Sequence, residues 1–101
     1  MSGTGYGQAI AEDMRLIILK ELAAMPDGRC NESILADAVY ACGHNPSRDV
    51  LRTQINKLGE LGAARVTTIG SILVAQITEA GVDHCLRRTK IEGIRQPRLG
   101  A

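Results

Sequence analysis

Three stretches with helical apolar spacing, a switch to period two around a two-residue glycine turn, and one further short helical stretch predict a mainly α domain with a small β-hairpin. Their order is that of a winged helix-turn-helix: a three-helix core, a two-stranded wing and a C-terminal helix. The length of 101 residues with 45% apolar content suits one domain with one modest core.

Met1 to Gly7 carry Gly3, Gly5 and Gly7 and no apolar period. Residues 1–7 are therefore expected to form a flexible N-terminal arm ahead of a winged-helix domain over residues 8–88. From Gln8 to Met25, Ile10, Met14, Ile17, Ile18 and Leu22 recur at helical spacing, and Leu16 and Leu19 widen the stripe into that of a largely buried helix. Pro26-Asp27-Gly28 supplies the turn that stops it. Asn31 is placed to cap a second helix, Glu32 to Cys42, whose Ile34, Leu35, Ala38, Val39 and Cys42 form one face before Gly43 ends it. Pro46 keeps Asn45 out of helical geometry, Ser47 caps the third helix, and Val50 to Leu61 continue in helical period.

Beyond Gly59 and Gly62 the chain turns β-rich, and Arg65 to Ile69 and Ile72 to Ile77 flank only Gly70-Ser71, the pattern of a tight hairpin. The short loop pairs Ile69 with Ile72 and sends Val66, Leu73, Ala75 and Ile77 toward the core, with Arg65, Thr67, Val74 and Gln76 on the other face. Thr78 caps a fourth helix from Glu79 to about Arg88, with Val82, Cys85 and Leu86 turned inward. Lys90 to Ala101 offers little to bury, so residues 89–101 are expected to be a basic flexible tail.

Charge narrows the function classes. Twelve Lys plus Arg against eleven Asp plus Glu leave +1, which excludes an unselective basic coat for nucleic acid. Two Tyr, no Phe and no Trp disfavour a stacking platform for single strands, so duplex DNA remains as the nucleic-acid partner. The charge is uneven: residues 1–46 hold three basic and six acidic groups, residues 47–101 nine and five. The polar side of the third helix carries Arg48, Asp49, Arg52, Thr53, Asn56, Lys57 and Glu60. Arg48, Arg52 and Asn56 form one row at four-residue spacing, suited to base edges in a major groove, with Thr53 and Lys57 suited to phosphates. Arg65, Arg87, Arg88, Arg95 and Arg98 are the further candidates for phosphate contact, although the hairpin tip itself carries no basic group. Ile69, Ile72 and Val74 form a small apolar patch on the outer hairpin face, a candidate interface for a homodimer whose paired third helices would address a two-fold site.

Other chemistries lack their residues. Cys42-Gly43-His44 and His84-Cys85 supply zinc-type ligands without the usual ligand spacing, so no metal site and no cofactor is expected. No nucleophile elbow, phosphate-cradling glycine loop or HExxH helix is present, so no enzyme is read here. Three cysteines without a framework spacing, no signal segment and no membrane-length apolar run place the expected protein in the cytoplasm, off the membrane.

The segments Glu12-Asp13-Met14-Arg15-Leu16-Ile17-Ile18-Leu19, Asn31-Glu32-Ser33, Ser47-Arg48-Asp49-Val50-Leu51-Arg52-Thr53 and Arg95-Gln96-Pro97-Arg98-Leu99-Gly100-Ala101 together resemble a family of small proteins of Mu-like phages and prophages, over nearly the whole chain. Members look like winged helix-turn-helix proteins and are similar to the ArsR class of repressors. Ile77-Thr78-Glu79-Ala80-Gly81 also looks like the strand-to-helix junction of winged-helix regulators. The resemblance implies a phage transcriptional regulator in a bacterial host cell. It does not carry metal-responsive repression with it, because the paired-cysteine motif of the metal-sensing members is absent. The competing expectation is a non-enzymatic protein-interaction module, such as a DNA-packaging accessory, that uses the same fold.

Overall fold

The computed structural model describes residues 4–99. Its elements are α1 (Thr4–Ala24), β1 (Arg29–Asn31), α2 (Glu32–Ala41), α3 (Arg48–Glu60), β2 (Ala64–Ile69), β3 (Ile72–Ile77) and α4 (Glu79–Cys85). The result is a mixed α/β fold of four helices and a three-stranded antiparallel sheet in the order β1-β3-β2. The sheet therefore has one strand more than the expected hairpin.

α1 is the axis of the core. Met14, Leu16, Ile18, Leu19 and Leu22 are all buried on it, more than one helix face can hold against a single neighbour, and it packs on α2, α3, α4 and the sheet. It also begins earlier than expected: residues 4–7 are its first turn, where an arm was predicted, and the rest of that arm, residues 1–3, lies outside the described residues. Glycine lowers helix propensity, but a long amphipathic helix docked along its length propagates through such positions.

At the far end, Gly28 adopts φ +70°, and a Cβ there would stand 2.9 Å from a methyl of Ile77. This turn delivers Arg29–Asn31 beside β3 in the register Arg29↔Gln76, Cys30↔Ala75 and Asn31↔Val74. α2 and α3 start at the expected caps. The Asn31 side chain accepts from the Ile34 N–H at 3.0 Å, and Ser47 Oγ accepts from the Val50 N–H at 3.2 Å. Leu35, Val39, Leu51, Ile55 and Leu58 turn into the core, but Ile34 and Cys42, expected on the apolar face of α2, are exposed, as is Val50 in the first turn of α3. The hairpin has the expected register, Ile69↔Ile72, with Gly70 at φ +62°. Leu73 and Ala75 are buried beneath it, and Val66 and Ile77 pack against the core.

The C-terminal quarter departs most from expectation. α4 is capped by Thr78, whose hydroxyl accepts from the Gly81 N–H at 3.2 Å, but it ends at Cys85. Gly81 and His84 are its buried residues; Val82 and Cys85, expected to turn inward, are half-buried, and Leu86 is exposed. Gly81 is the close approach that seats α4: a Cβ there would lie 2.3 Å from the Ala63 carbonyl oxygen. Of the segment expected to be a flexible tail, residues 89–99 fold back along α1, and residues 100–101 lie outside the described residues. Ile94 is 2% exposed, and the Arg95 N–H donates to the Glu12 carbonyl at 3.2 Å. His84 fastens it: Nδ1 accepts from the Ile91 N–H at 3.0 Å and Nε2 donates to the Arg95 carbonyl at 2.9 Å, which assigns a neutral Nε2-protonated ring. The physical reason is modest in sequence terms. Ile91, Ile94 and Pro97 are few, but they meet a helix already carrying an excess of apolar surface.

Candidate nucleic-acid interface

The expected reading row on α3 does not survive as three free side chains. Glu32 opens α2, where a carboxylate is favoured by the helix dipole, and is almost wholly buried. Arg52 Nε and Nη2 each donate to one of its carboxylate oxygens at 2.8 Å, a bidentate pair. The Leu73 N–H of β3 donates to the same carboxylate at 2.7 Å, and Arg52 Nη2 also donates to the Ser71 carbonyl at the hairpin tip. These guanidinium bonds hold the Glu32 carboxyl at a pKa of about 2, against burial, which alone would raise it. One clasp thus joins α2, α3 and the hairpin. Arg48 lies 3.4 Å from the same carboxylate with its side chain 62% exposed.

With Arg52 turned toward the hairpin, the outward ridge of α3 is Asp49, Thr53, Asn56 and Glu60, all exposed. The Thr53 hydroxyl donates to the Asp49 carbonyl of its own helix at 2.9 Å, and Lys57 lies 3.7 Å from Glu60. Arg48 and Lys57 are thus matched by Asp49 and Glu60, and the helix surface carries no net charge.

The C-terminal arginines are also committed. Arg87, at φ +61°, donates to the Pro97 carbonyl; Arg88 reaches Asp83 at 3.4 Å; Arg95 pairs with Asp13 at 3.0 Å. Burial raises the Asp13 carboxyl, but hydrogen bonds with His44 at 2.7 Å and with Arg95 outweigh it and leave the pKa lowered. His44 and His84 are thus each bound within the fold, to Asp13 and to the C-terminal backbone. Arg98 is exposed beside α1. The proposed apolar interface is smaller than expected: Ile69 is 55% exposed, whereas Ile72 and Val74 are half-buried, Ile72 lining one cleft with Arg48 and Leu51 and Val74 between the cross-strand neighbours Asn31 and Thr67.

The sheet holds what the sequence reading missed. Arg29 and Arg65 each pair in register with Gln76, one from either side, and all three are exposed. Arg65 was a candidate in isolation. Arg29 was not, because β1 is three residues long and shows no period of its own. Neither guanidinium has a carboxylate partner among the described residues.

Fold and surface define a small α/β protein with a helix and a hairpin locked side by side. No family model matches the chain. It is 39% identical to gp26 of Escherichia phage Mu, an uncharacterized protein, over 89 residues that cover 88% of this chain and 92% of that one. An uncharacterized protein of Haemophilus influenzae is 33% identical over 92 residues, covering 90% and 88%. The chain belongs to the family of phage Mu gp26. Among the described residues no helix is long and apolar enough to cross a membrane.

Proposed function

We propose that the protein is a non-enzymatic, winged-helix duplex-DNA-binding regulator of a Mu-like phage, reading the major groove with α3 and acting in the cytoplasm of the host cell. The observation that carries this reading is the clasp: Glu32 and Arg52 fix the hairpin tip against α3, so helix and wing present one preset surface. Arg48, Thr53, Asn56 and Lys57 supply the contacts on α3, with Asn56 suited to adenine and Arg48 to guanine or phosphate. Arg52 acts as a positioning residue within it. The test is fluorescence anisotropy of a labelled random-sequence duplex with stepped salt, followed by selection of preferred sites. Binding that weakens linearly in log salt supports the reading, and Asn56→Ala should then flatten the sequence preference while leaving the salt slope nearly unchanged. Absence of binding at low salt would overturn it.

A second reading, a protein-binding accessory module, draws on a cleft between the start of α1 and the α2–α3 turn, lined by Tyr6, Ile10, Met14, Pro46 and Val50, with Tyr6 81% exposed. Tyr6→Glu should then disrupt partner capture and leave DNA binding intact.

A further inference from the structure

α3 offers shape and base-reading groups but no net charge, and duplex binding draws most of its sequence-independent affinity from phosphate neutralisation. The charge that is available lies on another face. In the sheet the side chains of Arg29, Gln76 and Arg65 share one rung and point away from the helices, because the alternate residues Cys30 and Ala75 are buried on the opposite side. The next rung on the solvent face is Asn31, Val74 and Thr67. These two rungs hold two cations and no acid. Neighbouring strands lie about 4.8 Å apart, so the two arginine backbones stand roughly 10 Å apart across the face. Asp27 is close by, but its carboxylate accepts from the Arg29 backbone N–H at 3.2 Å and its carbonyl from the Gln76 amide at 3.4 Å; it forms no ion pair with either guanidinium.

We infer that this solvent face of the sheet, built on Arg29, Gln76 and Arg65, binds the phosphodiester backbone of duplex DNA. The inference rests on the duplex-DNA reading above and adds the surface that anchors it. Two unpaired guanidinium groups match two phosphates, and Gln76 between them donates through its amide. Charge complementarity selects this occupant. The face has no apolar centre for a protein partner, since Val74 is half-buried between polar neighbours.

The experiment uses the full chain and a labelled random-sequence duplex, with affinity followed against stepped sodium chloride. R29Q/R65Q should lower the log–log salt slope by about 1.8, at roughly 0.9 per phosphate contact, and weaken binding tenfold or more at the lowest salt. R29K/R65K should restore most of the slope. The control pair K20Q/K90Q removes the same net charge from α1 and the C-terminal segment and should shift the slope by less than half as much. Thermal melts should coincide for all three, because every substituted side chain is exposed. Wild-type binding that R29Q/R65Q leaves unchanged, or that K20Q/K90Q weakens equally, overturns the surface and leaves the α3 reading standing. No binding by the wild type overturns both.

Discussion

Helix α3 as a whole and the solvent face of the sheet carry comparable numbers of basic residues, three and two, and only the sheet face has charge to spare. On α3, Arg52 is spent on the buried carboxylate of Glu32, and Arg48 and Lys57 are balanced by Asp49 and Glu60. On the sheet, Arg29 and Arg65 flank an uncharged Gln76. The difference separates two uses of arginine. A guanidinium bound bidentately to a buried carboxylate is a fastener, and its worth lies in geometry; an unpaired exposed one is a field available to a ligand.

The strongest way to break this contrast is to remove Glu32. Glu32→Ala leaves the Leu73 N–H without its acceptor, opens space at the start of α2 and unfastens the hairpin. A loss of about 4 kcal/mol in chemical denaturation is expected. If folded protein is recovered in stabilising osmolyte, Arg48 and Arg52 are released, and its duplex affinity should show a steeper salt slope than the wild type. Unchanged stability would mean that the clasp does not hold α3 and the hairpin together.

Acid should act on the same point more gently. The Glu32 pKa is lowered from 4.5 to about 2 in the folded chain, so its contribution is complete above pH 4.5 and is lost as pH falls toward 2. The shift corresponds to roughly 3 kcal/mol, to be read from denaturation midpoints across that window. Glu32→Gln should flatten this part of the pH profile. Smaller still is the cap that starts α3: Ser47→Ala should cost about 1 kcal/mol, seen as a lowered melting temperature. The last comparison is like for like. Arg52→Gln should shift the denaturation midpoint clearly, because it strands a buried carboxylate, whereas Arg65→Gln should leave the midpoint where it was. Equal shifts would erase the distinction between fastener and free charge.

What was legible in the sequence follows the range of the interactions. Asn31, Ser47 and Thr78 act on N–H groups three residues away, so their caps could be placed from the chain alone. The hairpin register was legible because Gly70-Ser71 leaves no slack. β1 was not, since three residues have too short a period to register, and its pairing partner lies more than forty residues on. The same limit hid the fate of Arg52: a helical wheel puts it on the polar side of α3, correctly, but cannot show a carboxylate twenty residues upstream. The segment around Ile94 was misread because composition measures how much a stretch has to bury and is silent on how much another element has left uncovered. The phage family was legible from the sequence and is supported by its relatives.

The return of the C-terminal segment to α1 has a consequence for biosynthesis. Ile94 fills the core next to α1, a helix that precedes it by seventy residues or more in the chain. A nascent chain that still holds Ile94 inside the ribosomal exit tunnel has its caps and hairpin but not its finished interior. Folding to the native state therefore waits for that residue to emerge, and a chain arrested before it should be cut by protease along α1, while one arrested well beyond it should resist.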